Sequence, residues 1–529
     1  MRPTNMKKLF LKTGLLLTVL AAVMSLAPTA HAAAPGITGP TFDLTATPAY
    51  LIQPDGQSIY SWGYGCRVGP AGFAPALSNQ AFCNTMQVPG PTLIVTQGQT
   101  VTVTLANALP TSAGNTSILF PGFNVTATGG VAGLMTQEAA PGGSVTYSFV
   151  ASSPGTRSYY SGTQGDLQIE MGLYGAIIVL PNAVPAACTT GMHALNRQAE
   201  TFHGELDYRL AAAAYNHDKA CYDREYLFQF SEMDPRIHSQ ALAQVTAKTG
   251  CAAGAAGCSL HVATEPYHPA YFMINGRSMP DDMDPNYAAE YPHQPYNGNP
   301  HMHPGEQVLL RIVGQGRWQH PFHEHANHVR ILARDGNLIL SQTSAEDLAG
   351  PALFTTTTTP GQAMDGIFYY TGRGLNWDMY GHNPKSGDAL AKLTCVPDAN
   401  GYNTGGTAYQ QINFWEWCQD HNKPLQAAPF GDVASGGPAT LPDANILTNG
   451  AWYGGSPYLG PDATVRATGP TGTTPPSGTI ANPPGSEAGF AFMWHSHNER
   501  EITTNNAFPG GMLMMMLVDS REFPIDESN

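Results

Sequence analysis

The amino-acid sequence predicts an all-β protein with more than one β-sandwich. Its 529 residues exceed what one ordinary core organises, so two or three domains are expected. Its 57 glycines and 43 prolines, with only 12% charged residues, suit many turns and short strands rather than long helices. Several stretches also alternate apolar with polar residues, the period-2 signature of strands with one buried face.

The elements follow in chain order. Arg2, Lys7, Lys8 and Lys12 precede an apolar run that closes at Ala30-His31-Ala32. This is the pattern of a cleaved secretory signal over residues 1–32, with the mature chain starting near Ala33 and no transmembrane anchor expected. A periplasmic or secreted location follows. Residues 40–185 read as a first β-domain, with strands in TLIVTQGQTVTVTLAN (92–107), GGSVTYSFVA (142–151) and YGAIIVLP (174–181). Residues 186–260 read as a mixed connecting segment: a helix start, a strand, then the loop CAAGAAGC. Residues 261–525 read as a second β-domain, with YFMINGRSMP (271–280), GEQVLLRIVG (305–314) and a hairpin in HVRILARDGNLIL (328–340) turning at Asp335-Gly336. A Gly-, Pro-, Thr- and Asn-rich insertion interrupts this domain at about 383–490.

The formal charge of −15 becomes −19 once the four positive charges of residues 1–32 leave. A nucleic-acid partner is excluded on that balance, because phosphate binding needs concentrated Lys and Arg. The eight cysteines suit disulfides in an oxidising compartment. The simplest pairing joins near neighbours: Cys66–Cys83, Cys188–Cys221, Cys251–Cys258 and Cys395–Cys418.

Two histidine-rich stretches carry the chemistry: HPFHEH (320–325) and MWHSHNER (493–500). Alternate strand residues share a face, so His323 can face the same side as His325, and His495 the same side as His497. Ser496 then points to the opposite face, on His320's expected side. Imidazole suits copper, zinc, iron and nickel. Other motifs read more plainly. His301-Met302-His303 reads as an exposed loop, Met512, Met514, Met515 and Met516 as a buried strand, and Asp281, Asp282 and Asp284 as a solvated turn. The sequence has no Gly-x-Ser-x-Gly elbow, phosphate-binding glycine loop or HExxH.

The order of these motifs resembles the multicopper oxidase family. VPGPTLIVTQGQTVTVTLAN, PGGSVTYSF and MGLYGAIIVLP are similar to that family's first domain; FMINGRSMP, PGEQVLLRIVG, HPFHEHANHVRILARDG, TPGQAMDGIFYY and HSHNEREITTNNAFPGGM are similar to its last. The resemblance covers roughly half of the mature chain and implies two cupredoxin-like Greek-key β-sandwiches. It also implies a mononuclear blue copper on one strand face, linked through a His-Cys-His to a three-copper cluster on the other. The chain departs from that pattern in three places. Leu119 and Phe120 stand in the first expected His-x-His, and Tyr160, Ser161 and Gly162 in the second. Ser496 stands where the thiolate is expected, and no histidine follows His497. Met512 stands at the axial position.

What remains is a C-terminal ligand set of His320, His323, His325, His495 and His497, with His328, Glu324, Glu499 and Glu501 near in sequence. It suits one ion, copper or else zinc. Three readings stay open: an exported copper-binding protein of multicopper-oxidase type, a one-metal oxidase of metal ions or phenols, and a disulfide-stapled scaffold with a protein partner in the cell envelope.

Overall fold

The computed structural model describes residues 34–74, 83–303, 305–370 and 488–519, together with residue 399 and the short segments 455–459, 464–465, 480–481 and 524–525. Residues 1–32, most of the 383–490 insertion and the Cys395–Cys418 pair lie outside the described residues. Among the described residues no helix is long and apolar enough to cross a membrane.

The chain folds into two β-sandwiches. The first has one sheet of the strands Gly155–Tyr160, Tyr174–Leu180, Leu93–Thr96, Gly36–Thr38 and Gly72–Ala74. The facing sheet has Ser58–Cys66, Thr41–Ile52, Thr100–Asn107, Ser144–Val150 and Thr126–Gly129. The alternation seen in the sequence is the alternation of burial: Val101, Val103, Leu105, Val145, Tyr147 and Phe149 point inward while their neighbours face out. Parallel pairing of Leu93–Thr96 with Tyr174–Leu180, and of Thr41–Ile52 with Thr100–Asn107, shows the chain crossing between sheets as Greek-key sandwiches require.

The second sandwich repeats this plan. Its inner sheet runs Tyr271–Ile274, Arg224–Met233, Gln307–Gly314, Ala363–Tyr369, Val329–Arg334 and Asn337–Leu338. Its outer sheet runs His301–Met302, Leu513–Asp519, Ala488–Ser496, His320–Glu324 and Thr355–Thr358. The hairpin turns at Asp335 and Gly336, with φ of 49° and 71°, the left-handed pair that a two-residue turn needs. Met514 and Met516 are buried in the core beside Trp494 and Phe492, as the strand reading of the Met run expects.

Gln307–Gly314 is buried at every position. Its sheet is covered on both faces, so period-2 alternation disappears. One face meets the core of its own sandwich. On the other, Leu227, Val313 and Ala363 pack on Ile94, Ala176 and Ile178 of the first sandwich. Buried polar groups cross the same interface: Thr156 Oγ1 donates to Asp365 at 2.6 Å, and Arg311 reaches both Thr156 and Glu225.

Three sequence expectations need correction. The strand Arg224–Met233 falls inside the expected connecting segment, yet pairs in parallel with Gln307–Gly314 and belongs to the second sandwich. In turn the helix Pro235–Ala247, capped by Asp234 with proline at its first turn, packs Ile237 and Ala241 into the first core. Connectivity here follows burial, not sequence order. His301 and His303 are buried rather than looped out: His301 Nδ1 meets Asp519 at 2.7 Å, and His303 Nε2 meets Glu205 at 2.6 Å. Asp282 is fully buried in a short 3-10 turn, not solvated, and burial raises its carboxyl pKa well above the usual range. Three disulfides close as near-neighbour pairs: Cys66–Cys83, Cys188–Cys221 and Cys251–Cys258.

Candidate metal centre

The strands His320–Glu324 and Ala488–Ser496 are antiparallel neighbours, with His323 opposite His495 and Phe322 opposite Ser496. Directly opposed residues share a face, so this register sorts the side chains into two sets. One face presents His323, His325, His495 and His497. The other presents His320, Phe322, Glu324, Trp494 and Ser496.

On the first face the four imidazoles form one cluster. Ring centroids are 4.8 Å apart for His323–His325, 5.6 Å for His323–His495, 4.9 Å for His323–His497 and 5.0 Å for His325–His495. The Nε2 atoms of His325 and His495 are 3.1 Å apart. That spacing is compatible with two imidazoles on one ion at about 2.0–2.1 Å each. His323 Nδ1 is fixed by Thr355 Oγ1 at 2.8 Å, and His495 Nδ1 lies 2.7 Å from the Ser496 carbonyl. These second partners orient the rings. As the side chains stand, among the described residues no three His, Cys, Asp or Glu groups already surround a single point at ligand distance. Rotation of the imidazoles about their side-chain bonds is what would close the set.

Burial, then the neighbouring His495 and His497, push the His323 pKa down to about 4. Burial likewise lowers that of His495. Both rings are therefore neutral near pH 7, the form that binds a metal. His497 stands at the open rim, with half its side chain exposed and Glu499 3.9 Å away. His328 is exposed and stacks edge-on against Phe354, 5.1 Å between centroids, rather than joining the cluster.

His320, expected in the same ligand set, is not there. It lies on the opposite face, fully buried. Its Nδ1 is 2.9 Å from Glu501 and its Nε2 is 3.0 Å from Glu232. The three-residue spacing from His323 is odd, so the strand itself turns His320 away. Glu324 also points inward, where burial pushes its carboxyl up to about 8.

The corresponding places in the first sandwich hold no ligands. Leu119 and Tyr160 exchange backbone hydrogen bonds at 2.7 and 3.3 Å. Phe120 packs against Tyr147, Phe149 and Tyr159. Ser161 donates to Gln168, which also accepts from Thr116. Apolar packing and satisfied hydroxyls fill this region, so a three-copper cluster does not fit these residues. The four imidazoles of the second sandwich do supply nitrogen donors of a kind that suits a metal ion.

Residues 72–184 match the model of the multicopper oxidase family. The match lies within the first sandwich and includes Leu119, Phe120, Tyr160 and Ser161. Among solved structures the chain is similar to a blue copper oxidase from Nitrosomonas europaea, at 14% identity over 90% of this chain and 85% of that one, TM-score 0.43. It is also similar to the multicopper oxidase mgLAC, at 14% identity over 90% and 86%, TM-score 0.41. A copper nitrite reductase from Nitrosomonas europaea matches at 19% identity over 63% and 85%, TM-score 0.36. Among curated proteins there is no match.

Sequence reasoning found the four imidazoles and named Glu501 nearby, but missed Thr355, which holds His323, and Glu232, which holds His320. Glu232 comes from a strand 88 residues before His320. Glu501 had one usable signal: it follows Ser496 closely, in a loop that turns back under the strand.

Proposed function

We propose that this is an exported copper-binding protein of multicopper-oxidase type, which holds one ion through His323, His325, His495 and His497. The observation that carries this reading is the convergence of four imidazoles from two adjacent strands on one face. When bound, copper would supply one-electron redox chemistry at a site open at His497. The chain's own part is to orient His323 and His495 through Thr355 and the Ser496 carbonyl, and to keep those two rings unprotonated by burial. Four-copper oxidase chemistry is not part of the proposal, because the thiolate and the first-domain ligands are replaced. Export is supported by the signal-like residues 1–32 and by three disulfides, which persist in oxidising compartments.

Metal analysis of the purified mature protein tests this. The expected result is about one copper per chain, with zinc competing for the same site, and loss of that ion on replacing His323 and His325 by alanine together. Dialysed protein that takes up neither metal would reject the proposal and leave the disulfide-stapled scaffold.

A further inference from the structure

The mononuclear position on the inner face offers a second, independent observation. Four groups converge there: His320, Ser496, Glu501 and Glu232. Ser496 Oγ donates to Glu501 Oε2 at 2.5 Å, and His320 Nδ1 meets the same oxygen. Asn498 Nδ2 donates to Glu501 Oε1 at 2.9 Å. On the far side, Glu232 Oε2 meets His320 Nε2, while its Oε1 accepts from the backbone N–H groups of Arg317 and Trp318 and from the Tyr267 hydroxyl. The Tyr267 hydroxyl also reaches Glu170 of the first sandwich at 2.6 Å. Met512 lies beside this group, its backbone bonded to both Ser496 and Glu501. His320, Ser496 and Met512 are each 0% exposed, so water does not compete for these bonds.

We propose that Glu232, His320, Glu501 and Ser496 form a charge clamp that fills the blue-copper position and excludes a metal from it. Both ring nitrogens of His320 face carboxylate oxygens, and only an imidazolium donates from both. A doubly protonated ring has no lone pair for copper. The remaining donors are a hydroxyl and carboxylates, which are hard, where a blue site needs a soft thiolate. The cation of the site is thus organic and built in. It neutralises the two buried carboxylates as an ion would, and it ties His320–Glu324 to the loop after Ala488–Ser496. Burial alone would lower the His320 pKa; the hydrogen bonds and charges of Glu232 and Glu501 outweigh it and push it up to about 9. The clamp also positions the outer imidazoles, since Ser496 separates His495 from His497. That last role rests on the proposed copper site; the metal exclusion does not.

Three measurements on the full mature chain test the clamp. Ring-nitrogen NMR between pH 6.5 and 9 should show an imidazole that stays doubly protonated and whose signals vanish in His320→Gln. Absence of such a ring overturns the proposal. Ser496→Cys, a small change in side-chain volume, should show no intense thiolate–copper band with copper, because Glu501 disfavours the thiolate and His320 has no free nitrogen. An intense blue thiolate–copper band in Ser496→Cys overturns it. In the His323→Ala, His325→Ala double variant, copper should fall to none; an ion that remains there and leaves on His320→Gln overturns it. Wild-type protein that takes up no copper, yet shows the protonated ring, would sink the copper-site reading alone and leave the clamp standing.

Discussion

The two faces of one strand pair differ more than the two sandwiches do. On the outer face, His323, His325, His495 and His497 lie ring against ring, and burial with neighbouring imidazoles lowers the pKa of His323 and His495 and keeps those two neutral. On the inner face, His320 touches no imidazole, is wholly buried, and is charged because two carboxylates surround it. Residue type is the same on both sides. Its partners decide whether a histidine is a ligand or a cation.

The largest expected effect tests the inner face. His320→Ala leaves Glu232 and Glu501 buried with no cation between them, so unfolding stability should fall by about 3–5 kcal/mol in a denaturant titration. A loss below about 1 kcal/mol would mean that the carboxylates are already neutral. The outer-face pair His323→Ala, His325→Ala should cost far less stability, roughly 1 kcal/mol, while abolishing copper uptake. The comparison breaks if those two costs are similar.

The pH dependence of the metal-free protein separates the faces further. The folded chain holds the His320 proton between pH 6.5 and 9, where the unfolded chain has released it. The clamp's stabilisation is therefore complete below 6.5 and lost as pH rises through 9. His323 behaves oppositely. Its pKa is depressed from 6.5 to about 4, so its contribution is present above 6.5 and lost as pH falls toward 4. His320→Gln should flatten the alkaline limb of a Tm-against-pH curve and His323→Ala the acid limb; exchanged effects would refute the assignment. Ser496→Ala falls between the two stability costs given above. It removes one hydrogen bond to a charged acceptor that keeps two other partners, so about 1.5 kcal/mol should be lost.

Much of the fold was legible because strands with one buried face announce themselves by period 2, as in Thr100–Asn107 and Ser144–Val150. It failed where both faces are covered. Arg224–Met233 is buried throughout but for one half-buried residue, and nothing local says which sandwich it joins. The HMH stretch failed for a related reason: His301 and His303 look solvated until Asp519 and Glu205 arrive from distant segments.

The sequence alone pointed to the all-β class, offered near-neighbour disulfides as the simplest pairing, and placed His323 with His325, and His495 with His497, on a common strand face. Each follows from local rules: alternation and short loop closure. Only the tertiary structure brought Glu501 and Glu232 onto His320, paired the two histidine strands in register, and buried Gln307–Gly314 between the two sandwiches. These depend on which distant carboxylate or sheet meets a given side chain. Charge state and burial are set by such neighbours, and the order of residues along the chain does not encode them locally.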